Sequence, residues 1–282
     1  MELSPIDYSY NDYHSLTLKA TFYKSFSSSK DHTIIYLHGG GLLYGQRNDL
    51  PVTYINSFLE AGYHFLSLDY PLAPESPLRE IYQETKKGLQ WFLTEYHSSL
   101  GINSNSFSLF GRSAGAYLAL LLAKDPELPK PEKIISFYGY HTLKEASLQR
   151  PNAFYKKYPA MPEKIIRKLI GTTPIANGPL QTRYALYLYA RQTGKWISYL
   201  KASEKDLAFF SLTQNDLAAL PPTFIAQSKT DQDIPFQMGR FLHEAIPDSY
   251  FFTVNDFEHD FDRQPSAPEA KEAYEHLITW LS

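Results

Sequence analysis

Ser106-Phe107-Ser108-Leu109-Phe110-Gly111-Arg112-Ser113-Ala114-Gly115-Ala116-Tyr117-Leu118-Ala119-Leu120 is an apolar run, a Gly-x-Ser-x-Gly turn and a second apolar run. The first run, Ser106 to Phe110, reads as a short strand buried on both faces. The second, Ala114 to Ala123, is long and apolar enough to read as a buried helix. Ser113 then stands in the tight turn between them. The flanking glycines have a steric reason, because side chains in so sharp a turn would collide with neighbouring backbone. A serine held in a strained strand-to-helix turn has its hydroxyl exposed above the sheet, which is what a nucleophile requires. The plainer reading is an ordinary glycine-rich turn between strand and helix, so the context around it decides.

A nucleophilic serine needs donors for the oxyanion, a base and an acid. His38-Gly39-Gly40-Gly41 follows another buried run, Thr33-Ile34-Ile35-Tyr36-Leu37. Three glycines let backbone N–H groups face a cavity unobstructed, as acyl transfer needs. The N–H groups of Gly40, Gly41 and Ala114 are therefore the expected oxyanion hole. A phosphate loop would call for a Lys-Ser/Thr pair next, whereas Leu42-Leu43-Tyr44 follows. His38 reads as a residue tying this loop down.

If the chain order is Ser, acid, His, the candidate bases after Ser113 are His141, His243, His259 and His276. His243 and His276 fall in helical patterns, and His141 precedes any plausible acid. His259 lies in Asp256-Phe257-Glu258-His259-Asp260-Phe261, just after a strand, where catalytic groups of a parallel sheet collect. The acid is sought in Thr230-Asp231-Gln232-Asp233-Ile234-Pro235, after the strand Thr223 to Gln227. Asp231 is nearer the strand end and is the expected acid; Asp233 is the alternative, with the role of capping the following helix as its other reading.

Outward from these motifs the chain alternates strand and helix. Tyr8-Ser9-Tyr10 and Leu16 to Phe22 read as two antiparallel strands, with a polar turn at Ser25 to Asp31. A helix is expected over Tyr54 to Ala61, a strand over His64 to Leu68, a helix over Ile81 to Tyr96, and a strand over Ile134 to Tyr138. From about His141 to Leu220 the strand rhythm is replaced by helices and loops, with helices at Pro162 to Ile170 and Gln181 to Arg191. It resumes with a helix at Phe236 to Ala245, a strand at Tyr250 to Val254 and a helix at Pro268 to Leu281. This pattern predicts an α/β protein with a mostly parallel central sheet covered by helices on both faces. Residues 1–282 are expected to form one domain, with a helical lid inserted at about 143–219, before the strand that carries the acid.

Composition narrows the function class. The 282 residues carry a net charge of −3 and no cysteine. A concentrated basic face is lacking, so neither nucleic acid nor an anionic membrane is expected as a partner. Disulfides, thiolate metal sites and a cysteine nucleophile are excluded. The start, Met1 to Asp7, lacks the basic and apolar regions of a signal peptide. No apolar stretch approaches the roughly 18 residues of a membrane span. A soluble, cytoplasmic protein is expected, and the sequence assigns no oligomeric state. Aromatic residues reach 15%, with 22 Tyr and 18 Phe. Those at 143–219, including Phe154, Tyr155, Tyr158, Tyr184, Tyr187, Tyr189, Trp196, Tyr199, Phe209 and Phe210, either line a pocket or form the lid's own core.

Together these segments resemble the α/β-hydrolase superfamily, and within it the hormone-sensitive-lipase-like esterases. That family carries His-Gly-Gly-Gly, then Tyr-Arg-Leu-Ala-Pro-Glu, then Gly-Asp-Ser-Ala-Gly. Here the order is His38 to Gly41, Tyr70-Pro71-Leu72-Ala73-Pro74-Glu75, and Gly111 to Gly115. Asp231 and His259 fall where the acid and base would lie, and Phe261 matches the family's His-Gly-Phe ending. Pro71, Arg112 and Asp260 depart from the pattern, replacing Arg, Asp and Gly. The family's N-terminal helical cap is absent from the pattern. The resemblance covers about residues 32–142 and 220–282. It implies hydrolysis of small carboxylic esters by a Ser113-His259-Asp231 triad through an acyl-enzyme, without metal or organic cofactor. Two other readings stand beside it: a hydrolase of C–N bonds, such as an arylformamidase or small peptidase, and a non-catalytic binder of a small ligand.

Overall fold

The computed structural model describes residues 3–26 and 30–282. Residues 27–29, inside the polar turn expected at Ser25 to Asp31, lie outside the described residues. In chain order the elements begin with β1 (Ile6–Tyr13), β2 (Leu16–Tyr23), β3 (His32–Leu37), α1 (Val52–Glu60), β4 (Tyr63–Leu68), α2 (Leu78–Glu95), β5 (Phe107–Arg112), α3 (Ala114–Lys124) and β6 (Ile134–Phe137). A helical segment follows: α4 (Ala146–Gln149), a 3-10 turn (Tyr155–Lys157), α5 (Glu163–Leu169), α6 (Leu180–Thr193), α7 (Trp196–Tyr199), α8 (Glu204–Phe209) and α9 (Gln214–Ala218). The chain closes with β7 (Thr223–Ser228), α10 (Phe236–Ala245), β8 (Ser249–Val254) and α11 (Pro268–Leu281).

Among the described residues the strands form one sheet in the order β1-β2-β4-β3-β5-β6-β7-β8. β1 and β2 pair antiparallel, and β2 pairs antiparallel with β4. From β4 to β8 every pairing is parallel. The expected α/β architecture, with helices inserted ahead of the strand leading to Asp231, is the observed one. β3, β4, β5, β6 and β7 are buried along their whole length, so their uninterrupted apolar runs follow from coverage on both faces. One apolar layer packs α2, α3, α10 and the insert against the sheet. The other packs α1 and α11 on the opposite face.

Prolines account for the helix starts that periodicity misplaced. Pro51 and Pro77 occupy the N-cap positions of α1 and α2. A proline at a helix start loses no helical hydrogen bond, so α1 begins at Val52 rather than Tyr54 and α2 at Leu78 rather than Ile81. β5 runs two residues further than its apolar pattern, to Arg112, and delivers the chain directly to Ser113.

The register sets up the site. Leu37 of β3 lies opposite Gly111 of β5, so the glycine loop after β3 and the serine turn after β5 emerge side by side. The chain leaves β3 for β4 on one side and returns to β5 on the other. The crevice above such a reversal of strand order is where ligands bind in open parallel sheets. The loops after β7 and β8, which carry Asp231 and His259, open on the same carboxyl edge.

Candidate active site

The serine turn is as tight as its glycines imply. Ser113 has φ 52 and ψ −116, a conformation rare for any residue with a side chain. Its N–H donates to Phe137 O at 2.9 Å, anchoring the turn to β6. A Cβ on Gly115 would fall 2.0 Å from Leu37 O, so α3 can cross β3 this closely only with glycine there. α3 is buried from Ala114 to Ala123. It fixes the turn as a rod packed in the core.

Three side chains meet above that turn. Ser113 Oγ lies 2.8 Å from His259 Nε2, and His259 Nδ1 lies 2.8 Å from Asp231 Oδ2. An ionised carboxylate only accepts, so Nδ1 carries the donated proton and Nε2 of the neutral ring is free to accept from the serine. Asp231 is itself fixed: its Oδ1 accepts from the N–H groups of Asp233 and Ile234, both at 2.9 Å. The acid and base loops are pinned together by Ser228 Oγ and Thr230 Oγ1, which donate to Phe257 O at 2.6 and 2.9 Å. Burial alone would lower the His259 pKa. The charge and hydrogen bond of Asp231, with Asp233 and Asp260 behind them, outweigh burial and raise it to about 9.

The glycine loop closes the site from the β3 side. Gly40 has φ 103, and a Cβ there would meet Tyr44 O at 2.0 Å. The N–H groups of Gly40 and Gly41 belong to this bend, and Ala114 N–H is the first of α3. None of the three donates to a protein acceptor in the hydrogen bonds of the described residues. His38 lies beneath the loop as expected of a tie. It is fully buried, and its ring stacks on Tyr70 at 4.1 Å. Tyr70 hydroxyl donates to His38 O at 2.7 Å, and burial lowers the His38 pKa. His243 and His276 are exposed helix residues. His141 packs on Phe241 at 4.8 Å, and burial lowers its pKa to about 4.

Asp233 departs from its expected alternative roles. It neither reaches His259 nor caps α10, whose N-cap is Pro235 without a side-chain cap bond. Its carboxylate is 4% exposed and accepts from Arg191 Nε at 2.9 Å and Tyr187 hydroxyl at 2.6 Å. Two buried donors outweigh a helix cap. No local pattern around Asp233 could reveal partners more than 40 positions away on α6.

Arg112, the departure just before the serine, is also buried. Its Nε donates to Tyr138 hydroxyl at 2.7 Å and its Nη2 to Asp262 Oδ1 at 2.8 Å. Asp262 accepts further bonds from Tyr138 at 2.6 Å and Tyr274 at 2.9 Å. The Tyr138 ring lies 4.7 Å from that of His259. This network joins the serine turn to the stretch just after His259. Sequence reading missed it, because its only local signal is an arginine where the resembling family has aspartate.

Above the three side chains lies a cavity of about 580 Å³. Of the aromatics in the insert, Phe154, Tyr155, Tyr158, Tyr184 and Tyr187 line it, while Tyr189, Trp196, Tyr199, Phe209 and Phe210 do not. Of the latter, Tyr189, Trp196 and Phe210 are buried in the core that packs against the sheet, Tyr199 is half-buried, and Phe209 is exposed. Among the described residues there is no cluster arranged to hold a metal ion, and no helix is long and apolar enough to cross a membrane.

Comparison with known proteins agrees with this fold. A family model described as alpha/beta hydrolase fold matches residues 34–261. A Staphylococcus aureus protein of unknown function is 32% identical, with 98% of each chain covered and a TM-score of 0.89. An alpha/beta hydrolase superfamily protein from Enterococcus faecalis is 30% identical, with 99% of this chain and 98% of that one covered and a TM-score of 0.85. An acetyl esterase of Salmonella paratyphi A is 26% identical over 223 residues, which is 76% of this chain and 59% of that protein. The chain also matches fungal non-reducing polyketide synthases, of whose length it spans 12% or less.

Proposed function

The chain belongs to the alpha/beta hydrolase fold family, and from that membership we propose that it is a serine esterase cleaving small carboxylic esters through an acyl-enzyme. The observation that carries this reading is the chain of contacts from Ser113 Oγ through His259 to Asp231, each at 2.8 Å. The acetyl esterase relative and the glycine loop beside Ser113 support it. In the reaction, Ser113 Oγ attacks the ester carbonyl as its proton passes to His259 Nε2. The negative charge on the carbonyl oxygen is held by the N–H groups of Gly40, Gly41 and Ala114. His259 returns the proton to the leaving alcohol, and a water activated by the same nitrogen releases the acid. Insert aromatics on the cavity wall suit a small acyl or aromatic group. Residues 143–219 act as the lid of this single domain.

A panel of p-nitrophenyl esters, aryl formamides and aminoacyl anilides tests the reading. Short esters are expected to give the highest kcat/KM by at least about tenfold. Faster cleavage of formamides or anilides would reassign the chain to C–N bond hydrolysis. No turnover and no labelling by a fluorophosphonate would make it a binding protein.

The pH profile is a second expected result. His259 must be neutral to accept the proton, and its pKa is raised from the ordinary 6.5 to about 9. Below that value kcat/KM is expected to rise about tenfold per pH unit, levelling near pH 9 rather than near 6.5. Stability runs the other way. The folded state holds this proton more tightly than the unfolded one, so the contribution is full below pH 6.5 and is lost as the pH rises towards 9. A profile that levels near 6.5 would contradict the expectation.

A further inference from the structure

Arg183, Tyr187 and Arg191 stand four residues apart on α6, so helical periodicity places them on one face. That face is turned inward: the three are 6%, 2% and 1% exposed. Two buried guanidinium groups are costly unless paired, and each has its carboxylate. Arg183 donates to Glu75 with both terminal nitrogens, each at 2.9 Å. Arg191 donates to Asp233 Oδ1 at 2.9 Å and to Asp233 O at 2.8 Å. Glu75 ends the Tyr70 to Glu75 motif, and Asp233 follows the acid loop, so one helix face grips both.

The same face reaches the glycine loop. Trp196, at the start of α7, donates its indole N–H to Gly41 O at 2.8 Å. Arg183 Nε donates to Leu43 O at 2.9 Å. Just before α6, Gly178 N–H donates to Gly45 O at 2.9 Å, and Gly178 O accepts from Gly45 N–H at 2.7 Å. Alternate carbonyls of the loop, at 41, 43 and 45, are thus each held by the insert. Tyr187 fills the remaining gap: a methyl group added to Gly41 would come within 2.3 Å of its ring. Its hydroxyl is fixed by Asp233 at 2.6 Å.

We propose that the inward face of α6, with Trp196, is a fixed brace that sets the orientation of the Gly40 and Gly41 N–H groups toward the reacting oxygen. Trp196, Tyr187 and Arg183 are then positioning residues: they touch no reacting atom and act through the loop. The inference rests on the esterase reading above. It gives the insert a role in transition-state stabilisation beyond covering the cavity. Small misplacements of such donors are felt strongly, because they must meet the oxyanion and not the ground-state carbonyl.

The test uses Trp196→Phe, which keeps an aromatic ring and removes the N–H. Active sites are counted by fluorophosphonate labelling, and turnover of p-nitrophenyl acetate is expressed per labelled site. We expect kcat per site to fall about ten- to a hundredfold, with KM within twofold and the pH midpoint unmoved. A trifluoromethyl ketone forms a tetrahedral adduct as Ser113 Oγ adds to its carbonyl and the serine proton moves to His259. Its affinity should weaken by the same factor as kcat/KM. Arg183→Lys, which keeps a charge beside Glu75 but lacks the donor fork, is the second variant and should give the same signature. Wild-type kcat per labelled site and ketone affinity in both variants, with only fewer active sites or a lower melting temperature, would overturn the brace. Failure of the esterase reading would show itself separately, as wild-type protein that neither labels nor turns over ester.

Discussion

Ser113→Ala is expected to lower kcat for a short p-nitrophenyl ester by about 10⁶-fold, with little change in KM. The substitution removes one oxygen, the atom 2.8 Å from His259 Nε2. The backbone strain at φ 52 is unchanged, because alanine keeps the same Cβ. The anchor from the position 113 N–H to Phe137 O also survives. The fold and the oxyanion donors should therefore persist, and some rate above the uncatalysed reaction with them. Circular dichroism, steady-state kinetics and fluorophosphonate labelling on the same preparation measure the effect. Near-full turnover by the folded variant would show that the nucleophile is elsewhere.

Asp231→Asn should cost about 10⁴-fold in kcat. Asparagine keeps the shape, and its carbonyl oxygen can still accept from the N–H groups of Asp233 and Ile234. Its NH₂ group then faces His259 Nδ1. A neutral imidazole answers by accepting there and carrying its proton on Nε2, where it can no longer take one from Ser113. The charge that raised His259 to about 9 is lost as well, so the residual activity should titrate at lower pH. Asp233→Asn separates the two aspartates. It leaves the Arg191 guanidinium, 1% exposed, without its counter-ion, and its first effect should be a lower melting temperature. The opposite pattern, with Asp233→Asn abolishing turnover and Asp231→Asn tolerated, would exchange their roles.

What could be read from the sequence was what is local. A buried strand, a glycine-flanked serine and a buried helix form a continuous signal from Phe107 to Lys124. Each loop with site chemistry directly follows an apolar run, so the carboxyl edge of the sheet could be drawn before any pairing was known. That Asp231, and not Asp233, lies in contact with His259 agrees with its shorter distance to the strand end. The long-range partners were not legible. Arginines are mostly exposed in folded proteins, and the burial of Arg183 and Arg191 depends on Glu75 and Asp233, each far away in sequence. Tyr187 reads as one aromatic among many, because periodicity says which residues share a face but not what the face meets. Helix starts were misjudged where Pro51 and Pro77, and not the apolar pattern, set the first turn.

The pairing of Arg112 with Asp262 ties two positions 150 residues apart into one unit of inheritance. Asp262 is fully buried. Placing at position 112 the aspartate of the Gly-Asp-Ser-Ala-Gly motif that this turn resembles would remove the guanidinium and leave the buried Asp262 carboxylate without its cation. Neither position can therefore drift alone. Chimeras that graft the strand and helix around Ser113 from a relative, but keep the native C-terminal third, should fail unless position 262 travels with the graft.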